Sequence, residues 1–307
     1  MISYLIKITF TVSLKLSMMS GLTITTIQTN LFWEDKTANL QLLEEKINSI
    51  KEKTEIIVLP EMFTTGFSMK PELLAETMEG ETVQWMKRIA AEKKIILTGS
   101  VIIRNAQAGT ASPAIAGVRP EYYNRLIWML PNGQYGVYDK RHRFGYAGED
   151  DHYTAGSKRL IASVKGWKIN LLVCYDLRFP VWARQTSLPN PSPLMERGET
   201  APEYDVLLVV ANWPEKRIAA WKILLQARAI ENQCYVVGVN RVGKDANDIY
   251  YSGESMIIDP MGEVLYTKKD TEDIFTMTLS KTHLQTVREK LPFLKDADEF
   301  KLITNSE

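Results

Sequence analysis

Four short runs in this chain are almost wholly apolar: Ile56-Ile57-Val58-Leu59, Leu171-Leu172-Val173, Val206–Val210 and Tyr235–Val239. Such runs read as strands buried on both faces, and a sheet of that kind needs helices or a second sheet to cover it. Helix-period stripes lie between them, at Leu40, Leu43, Ile47 and Ile50, at Val83, Met86 and Ala90, and at Ile218, Trp221, Leu225 and Ala229. Leu22–Gln28 and Ile95–Val101 are further strand candidates. Val181–Gln185 reads as helical. Tyr122–Leu130 with Gly136–Tyr138 reads as a hairpin about Pro131-Asn132-Gly133. Ser255–Ile258 with Glu263–Tyr266 reads as another, about Pro260-Met261-Gly262. Alternating strands and helices interspersed with hairpins predict an α/β protein with mixed sheets in layers.

The 307 residues carry 37 basic and 37 acidic side chains, which argues against a general grip on nucleic acid or an anionic membrane. No apolar run reaches the length of a membrane span. Cys174 and Cys234 are too few for a disulfide scaffold and favour a reducing, cytoplasmic compartment. His142, His152 and His283 are scattered, so no metal is expected. There is no GxGxxG or Walker pattern to hold a nucleotide. Residues 1–20 alternate apolar and polar side chains with Lys7 and Lys15 among them, which fits an appended edge strand or a start assigned ahead of Met18 or Met19 better than a secretion signal. Residues 105–120, rich in Ala, Gly and Pro, and 186–202, with prolines at 189, 191, 193 and 202, read as exposed loops unable to fill a ladder or a helix. The expected organisation is an extension at 1–20, a main domain over 21–280, and a C-terminal helix and tail over 281–307.

Reactive side chains stand where apolar runs stop. Ile56–Pro60 ends at Glu61, Tyr138-Asp139 leads to Lys140, and Leu171–Val173 ends at Cys174. Side chains just past the carboxyl ends of strands in layered α/β proteins gather in one crevice. A thiol, a carboxylate and an ammonium gathered there have the chemistry of acyl transfer. Each alone is ordinary, since a lone Cys after an apolar run is most often structural and a Glu or Lys at a strand end is usually solvated.

The strings LPEMFTTGF (59–67), YDKRHRF (138–144), LLVCYDLRFP (171–180), NWP (212–214) and ARAIENQCYVVGVNR (227–241) change that weighing. Together they resemble the nitrilase, or carbon–nitrogen hydrolase, superfamily over about residues 22–280, and in wording its omega-amidase branch. The resemblance implies a four-layer αββα sandwich with two central mixed β-sheets, no metal or organic cofactor, and a homodimer. It implies Glu61 as general base, Lys140 as stabiliser of the intermediate, Cys174 as nucleophile and Glu149 as a second active-site glutamate that holds Lys140 or the substrate amide. A solvated surface carboxylate is the plain alternative for Glu149. The Tyr175 N–H is a natural oxyanion donor, and a helix starting after Asp176, together with Lys140, is expected to favour the Cys174 thiolate.

For that branch the implied substrates are short 2-oxo dicarboxylic monoamides, 2-oxoglutaramate and 2-oxosuccinamate, hydrolysed to the acid and ammonia through a thioester. Their carboxylate needs a cation, for which Arg178 and Arg143 are the candidates; Arg178 could equally pair with Asp176 or Glu231. Phe63, Phe67 and Trp213 could wall the pocket or serve as core. Cys234 reads as inert core, and His142 lacks a histidine partner at ligand spacing. The alternatives are an N-carbamyl amino acid hydrolase or another aliphatic amidase with the same Glu-Lys-Cys site, and a non-catalytic binding homologue, whose expected mark is a lost triad member.

Overall fold

A computed structural model describes residues 21–105, 120–185, 188–189, 200–298 and 300; the extension and most of both loops lie outside them. In chain order the elements are β1 (Leu22–Gln28), α1 (Lys36–Ser49), β2 (Ile56–Val58), α2 (Pro71–Leu74), α3 (Glu81–Lys93), β3 (Ile96–Arg104), β4 (Tyr122–Met129), β5 (Tyr135–Asp139), α4 (Glu149–His152), β6 (Ile161–Val164) and β7 (Trp167–Val173). Then follow α5 (Pro180–Ala183), β8 (Leu188–Pro189), β9 (Thr200–Ala201), β10 (Val206–Ala211), α6 (Ile218–Asn232), β11 (Tyr235–Asn240), β12 (Val242–Lys244), β13 (Tyr250–Ile258), β14 (Val264–Lys269), β15 (Asp273–Leu279) and α7 (Lys281–Lys290).

Two mixed sheets result. The first runs β15-β1-β2-β3-β4-β5, and the second runs β12-β13-β11-β10-β7-β6 with β14 beside β13. The apolar runs form the parallel centres, β1-β2-β3 in one sheet and β7-β10-β11 in the other. Alternate side chains of one short strand show why the fold needs four layers. Ile56 and Val58 of β2 join the cluster between the sheets, with Leu171, Val173 and Val209, whereas Ile57 packs outward with Leu43 and Ile47 of α1 and Val83 and Met86 of α3. On the far side, Trp221, Leu225 and Ala229 of α6 cover the second sheet. The molecule is an αββα sandwich.

The hairpin about residues 131–133 and the stripe of α6 stand where the sequence predicts. Outside the two loops, three strands among the described residues escape the sequence reading: β6, the short edge strand β12, and β15. β15 is the strand that seals β1, in register from Leu22 opposite Leu279 to Gln28 opposite Asp273. The expected helix at 181–185 is instead a 3₁₀ turn over Cys174–Arg178 followed by the four residues of α5, because Pro180 cannot continue a helix begun earlier. The loop over 186–202 does carry a ladder, the two-residue pairing of β8 with β9, formed where Pro189 takes an edge position. Helix α7 adds Leu284 to the same large apolar cluster and bonds Arg288 to Asp205 at 2.9 Å. Among the described residues no helix is long and apolar enough to cross a membrane.

Gly238 of β11 lies directly under α6, where a Cβ would come within 2.6 Å of Leu225 and 2.8 Å of Trp221. Gly238→Ala should therefore overpack this layer and destabilise the protein by about 1–3 kcal/mol. The measurement is the urea midpoint at constant m, and an unchanged midpoint would mean that α6 lifts off the sheet freely.

Candidate active site

Glu61 leaves the end of β2 through a turn in which Met62 takes a left-handed conformation (φ 42°), held by Met62 N–H donating to Ser100 Oγ at 2.9 Å. The turn lays the Glu61 side chain, fully buried, into the seam between the sheets. There Oε1 accepts from Asn124 Nδ2 at 2.7 Å and Lys140 Nζ at 3.0 Å, and Oε2 accepts from Asn212 N–H at 2.8 Å. Asn212, first residue after β10, also donates Nδ2 to the Glu61 carbonyl at 2.7 Å, so the carboxylate of one sheet is gripped by the other.

Lys140 follows β5. Its N–H donates to the Asn124 carbonyl and its own carbonyl accepts from Gly156 N–H. Gly156 must be glycine, since a Cβ there would collide with the Asp139 carbonyl. The Lys140 ammonium reaches both Glu149 oxygens, at 2.9 and 2.8 Å, besides Glu61. Glu149 is fully buried rather than solvated, and it also accepts from Phe144 N–H at 2.5 Å. One ammonium thus serves two carboxylates. Burial opposes the lysine's charge, but Glu149 and Glu61 overcome it and hold the ammonium above the ordinary lysine range. Burial also pushes the Glu149 carboxyl up; Lys140 opposes this and Glu61 adds to it.

Cys174 opens the 3₁₀ turn in the left-handed region, φ 47°, which is strained for a residue with a side chain and turns the thiol away from the strand direction of β7. Burial raises the thiol well above its usual range; the Glu61 charge adds to the shift, Lys140 opposes it, and a hydrogen bond with Glu61 adds again. Burial and the Glu61 charge thus act against the thiolate expected from Lys140 and a helix end, and the Glu61 carboxylate stands beside the thiol as the acceptor for its proton. Burial is the largest cause, and a five-residue 3₁₀ turn brings little dipole to oppose it. Tyr175, second in that turn, has an N–H that precedes the first intrahelical acceptor and so is open to a ligand.

Asp176 fixes the thiol's turn against the lysine's loop. Fully buried, it accepts from Tyr138 Oη at 2.7 Å, His142 N–H at 2.8 Å and Val173 N–H at 3.1 Å, and lies 2.8 Å from His142 Nδ1. His142 stacks on Phe179 at 3.7 Å between ring centroids.

A pocket of about 650 Å³, its solvent-filled mouth included, opens over Cys174. Phe67, Phe144, Tyr175, Trp213 and Tyr251 wall it, and Arg178, Asn212 and Arg217 line it. Phe63 is instead core, against Trp85. Arg143 lies outside the pocket lining, since its guanidinium binds the carbonyls of Asp150 and Tyr153. Arg178 pairs with neither alternative partner: Asp176 is occupied as described, and Glu231 binds Arg228. The Arg178 guanidinium lies 5.0 Å over the Trp213 ring. Asn212 Oδ1, buried at the pocket wall, has no partner among the described residues. Cys234 is a core residue, its thiol pushed up to about 12 by burial. The sequence reading missed Asn124, a buried polar residue inside an apolar strand, and Arg217, four residues beyond Trp213 and absorbed into the start of a helical stripe.

The carbon–nitrogen hydrolase family profile matches residues 23–289. An omega-amidase YafV of Escherichia coli is 41% identical over 285 residues, 92% of this chain and 100% of that protein. A 2-oxoglutaramate amidase of Bacillus subtilis is 32% identical over 279 residues, 89% of this chain and 96% of that one. A CN-hydrolase superfamily protein of Xanthomonas campestris, solved with an arsenic adduct in its active site, superposes with a TM-score of 0.83 at 38% identity, covering 93% of this chain and 100% of its own. Nit3 of Saccharomyces cerevisiae, at 22% identity and a TM-score of 0.72 over 90% of this chain and 96% of its own, shares the fold.

The charge balance around the thiol has a measurable sign. Glu61→Gln removes a negative neighbour, so the Cys174 thiolate should form at lower pH than in the parent. Lys140→Met removes the positive one and should move it to higher pH. The pH dependence of the rate of Cys174 alkylation by iodoacetamide, in a Cys234→Ala background, reads both, since the rate rises with the thiolate fraction. An upward shift in Glu61→Gln would contradict the arrangement.

Proposed function

This chain belongs to the carbon–nitrogen hydrolase family, and we propose that it is an omega-amidase acting on short 2-oxo dicarboxylic monoamides such as 2-oxoglutaramate and 2-oxosuccinamate. It is a hydrolase of carbon–nitrogen bonds in linear amides. The observation that carries the substrate reading is the pocket lining, which includes two arginines and neither Asp nor Glu, with a thiol beneath them. An anionic tail on the arginines directs an amide at the other end of a short chain toward Cys174. The unpartnered Asn212 Oδ1 is an acceptor suited to an amide N–H, which an ester lacks.

The mechanism uses the neutral thiol. Cys174 Sγ attacks the amide carbonyl carbon while its proton passes to Glu61, so thiolate character develops only as the new bond forms. The carbonyl oxygen becomes an oxyanion beside the Lys140 ammonium and the Tyr175 N–H. Lys140 has three N–H donors spread over Glu61 and Glu149, and Glu149 holds the ammonium in place as one donor turns to the oxyanion. Collapse of the tetrahedral species expels ammonia, which takes the proton from Glu61. A water deprotonated by Glu61 then attacks the thioester, and the second collapse releases the acid and returns the proton to Cys174. On the same family reading the chain works in the cytoplasm as a homodimer; Ile223 and Ile230, 65% and 55% exposed on the outer helix α6, offer apolar surface of the kind a second copy covers.

Ammonia release from 2-oxoglutaramate, compared with glutamine, asparagine and N-carbamyl amino acids, tests the reading. The expected order places 2-oxoglutaramate first; a preference for N-carbamyl substrates would reassign the enzyme, and release from none would support a binding protein. Cys174→Ala should abolish turnover while still binding 2-oxoglutaramate. Lys140→Ala should lower kcat by ~10²–10³, the cost of a lost oxyanion donor. Lys140→Arg should not restore it, because a planar fork cannot replace a compact ammonium between two carboxylates.

A further inference from the structure

Arg217 ends the 3₁₀ turn Glu215–Arg217 and stands at the N-cap of α6. Its backbone is pinned twice: Arg217 N–H donates to the Pro214 carbonyl at 3.0 Å, and the Arg217 carbonyl accepts from Trp213 Nε1 at 2.9 Å. The guanidinium lies 5.1 Å over the Phe144 ring and makes no hydrogen bond or ion pair among the described residues. Its partner in this respect is Arg178, likewise stacked on an aromatic face and likewise without a carboxylate. Trp213 organises both, offering its ring face to Arg178 and its N–H to the Arg217 backbone. Two half-buried guanidinia, each laid on an aromatic face and without a hydrogen-bond partner among the described residues, in one aromatic-walled pocket, form a receptor for a planar anion.

We infer that Arg217 is a second carboxylate-binding cation and that it sets the pocket's choice of group at the carbon next to that carboxylate, favouring 2-oxo acid monoamides over their 2-amino counterparts. The inference rests on the omega-amidase reading and deepens it. A 2-oxo group accepts hydrogen bonds, which two guanidinia supply. A 2-ammonium on the same carbon would be drawn toward the same two cations with the carboxylate, and the pocket lining includes no Asp or Glu to receive it. Rejection of glutamine and asparagine is thus electrostatic and depends on the second arginine, while Arg178 alone would hold a carboxylate of either kind.

The test compares kcat/KM for 2-oxoglutaramate, glutamine and the neutral amide butyramide in the parent, Arg217→Met, Arg217→Lys and Arg217→Glu, with thermal melting to confirm folding. Arg217→Met should lower the ratio of 2-oxoglutaramate to butyramide by about 10- to 100-fold, mainly through KM, as expected for lost charged hydrogen bonds. Arg217→Lys should recover part of that ratio, and Arg217→Glu should narrow the gap between 2-oxoglutaramate and glutamine further than Arg217→Met does. A parallel fall on the anionic and neutral amides would assign Arg217 to the packing of α6 and overturn the inference, as would an unchanged ratio. If the parent spares 2-oxoglutaramate but cleaves N-carbamyl-β-alanine, the omega-amidase reading fails by itself. Arg217 is then judged by the ratio of that anion to butyramide, which should fall in the same way if it binds the carboxylate.

Discussion

Everything near the seam of the two sheets is arranged around one buried ammonium. Lys140 is 1% exposed and touches two fully buried carboxylates. Taking such charges out of water costs several kcal/mol per ion, which only close pairing and further hydrogen bonds offset. Those bonds come from Asn124, the Asn212 N–H and the Phe144 N–H, on β4, after β10 and in the loop before α4. The cluster therefore forms only when both sheets are docked and that loop is closed. The seam also has a chemical effect, since burial there, with the Glu61 charge added, holds the neighbouring thiol's pKa up against the pull of Lys140.

A second layer of residues sets geometry without facing the substrate. Asp176 ties the turn carrying Cys174 to Tyr138 and His142, which flank Lys140 in the chain, so nucleophile and ammonium cannot drift apart independently. Asn240 does the same on the other side, accepting from Trp213 N–H at 2.7 Å and donating Nδ2 to the Trp213 carbonyl at 2.9 Å. The pocket's main aromatic wall is thereby fixed to the end of β11. Strain at Met62 and Cys174 is confined to the two turns that aim the base and the thiol, where dense hydrogen bonding over-determines the backbone.

Much of this was legible in residue patterns. Apolar runs and helical stripes located the central strands and the covering helices, whereas Glu61, Lys140 and Cys174, ordinary by position alone, stood out through the motif strings that resemble the carbon–nitrogen hydrolases. What escaped has a common cause: it depends on contacts between distant segments. β15 is half-exposed and gains meaning only against β1, and β12 is three residues long. Arg143 and Arg178 look alike on paper, and only the carbonyls of Asp150 and Tyr153 reveal that the first is committed elsewhere. The direction of the thiol's shift depends on burial and on charges gathered in three dimensions, which spacing along the chain does not provide. Arg217 lay hidden because a helix start is an unremarkable place for a cation.

The pairing of β1 with β15 has a consequence for biosynthesis. Thr25 and Thr276, whose hydroxyls meet at 2.8 Å across that ladder, are 251 residues apart in the chain. At a ribosomal pace of about 5–20 residues per second, roughly 12 to 50 s separate the synthesis of one from that of the other. During that interval β1 has an unsatisfied edge in a nascent chain whose apolar strands are already accumulating. The first sheet can be closed only after residue 279 has been made, so a chaperone that shields this edge during elongation would protect the chain at its most aggregation-prone stage.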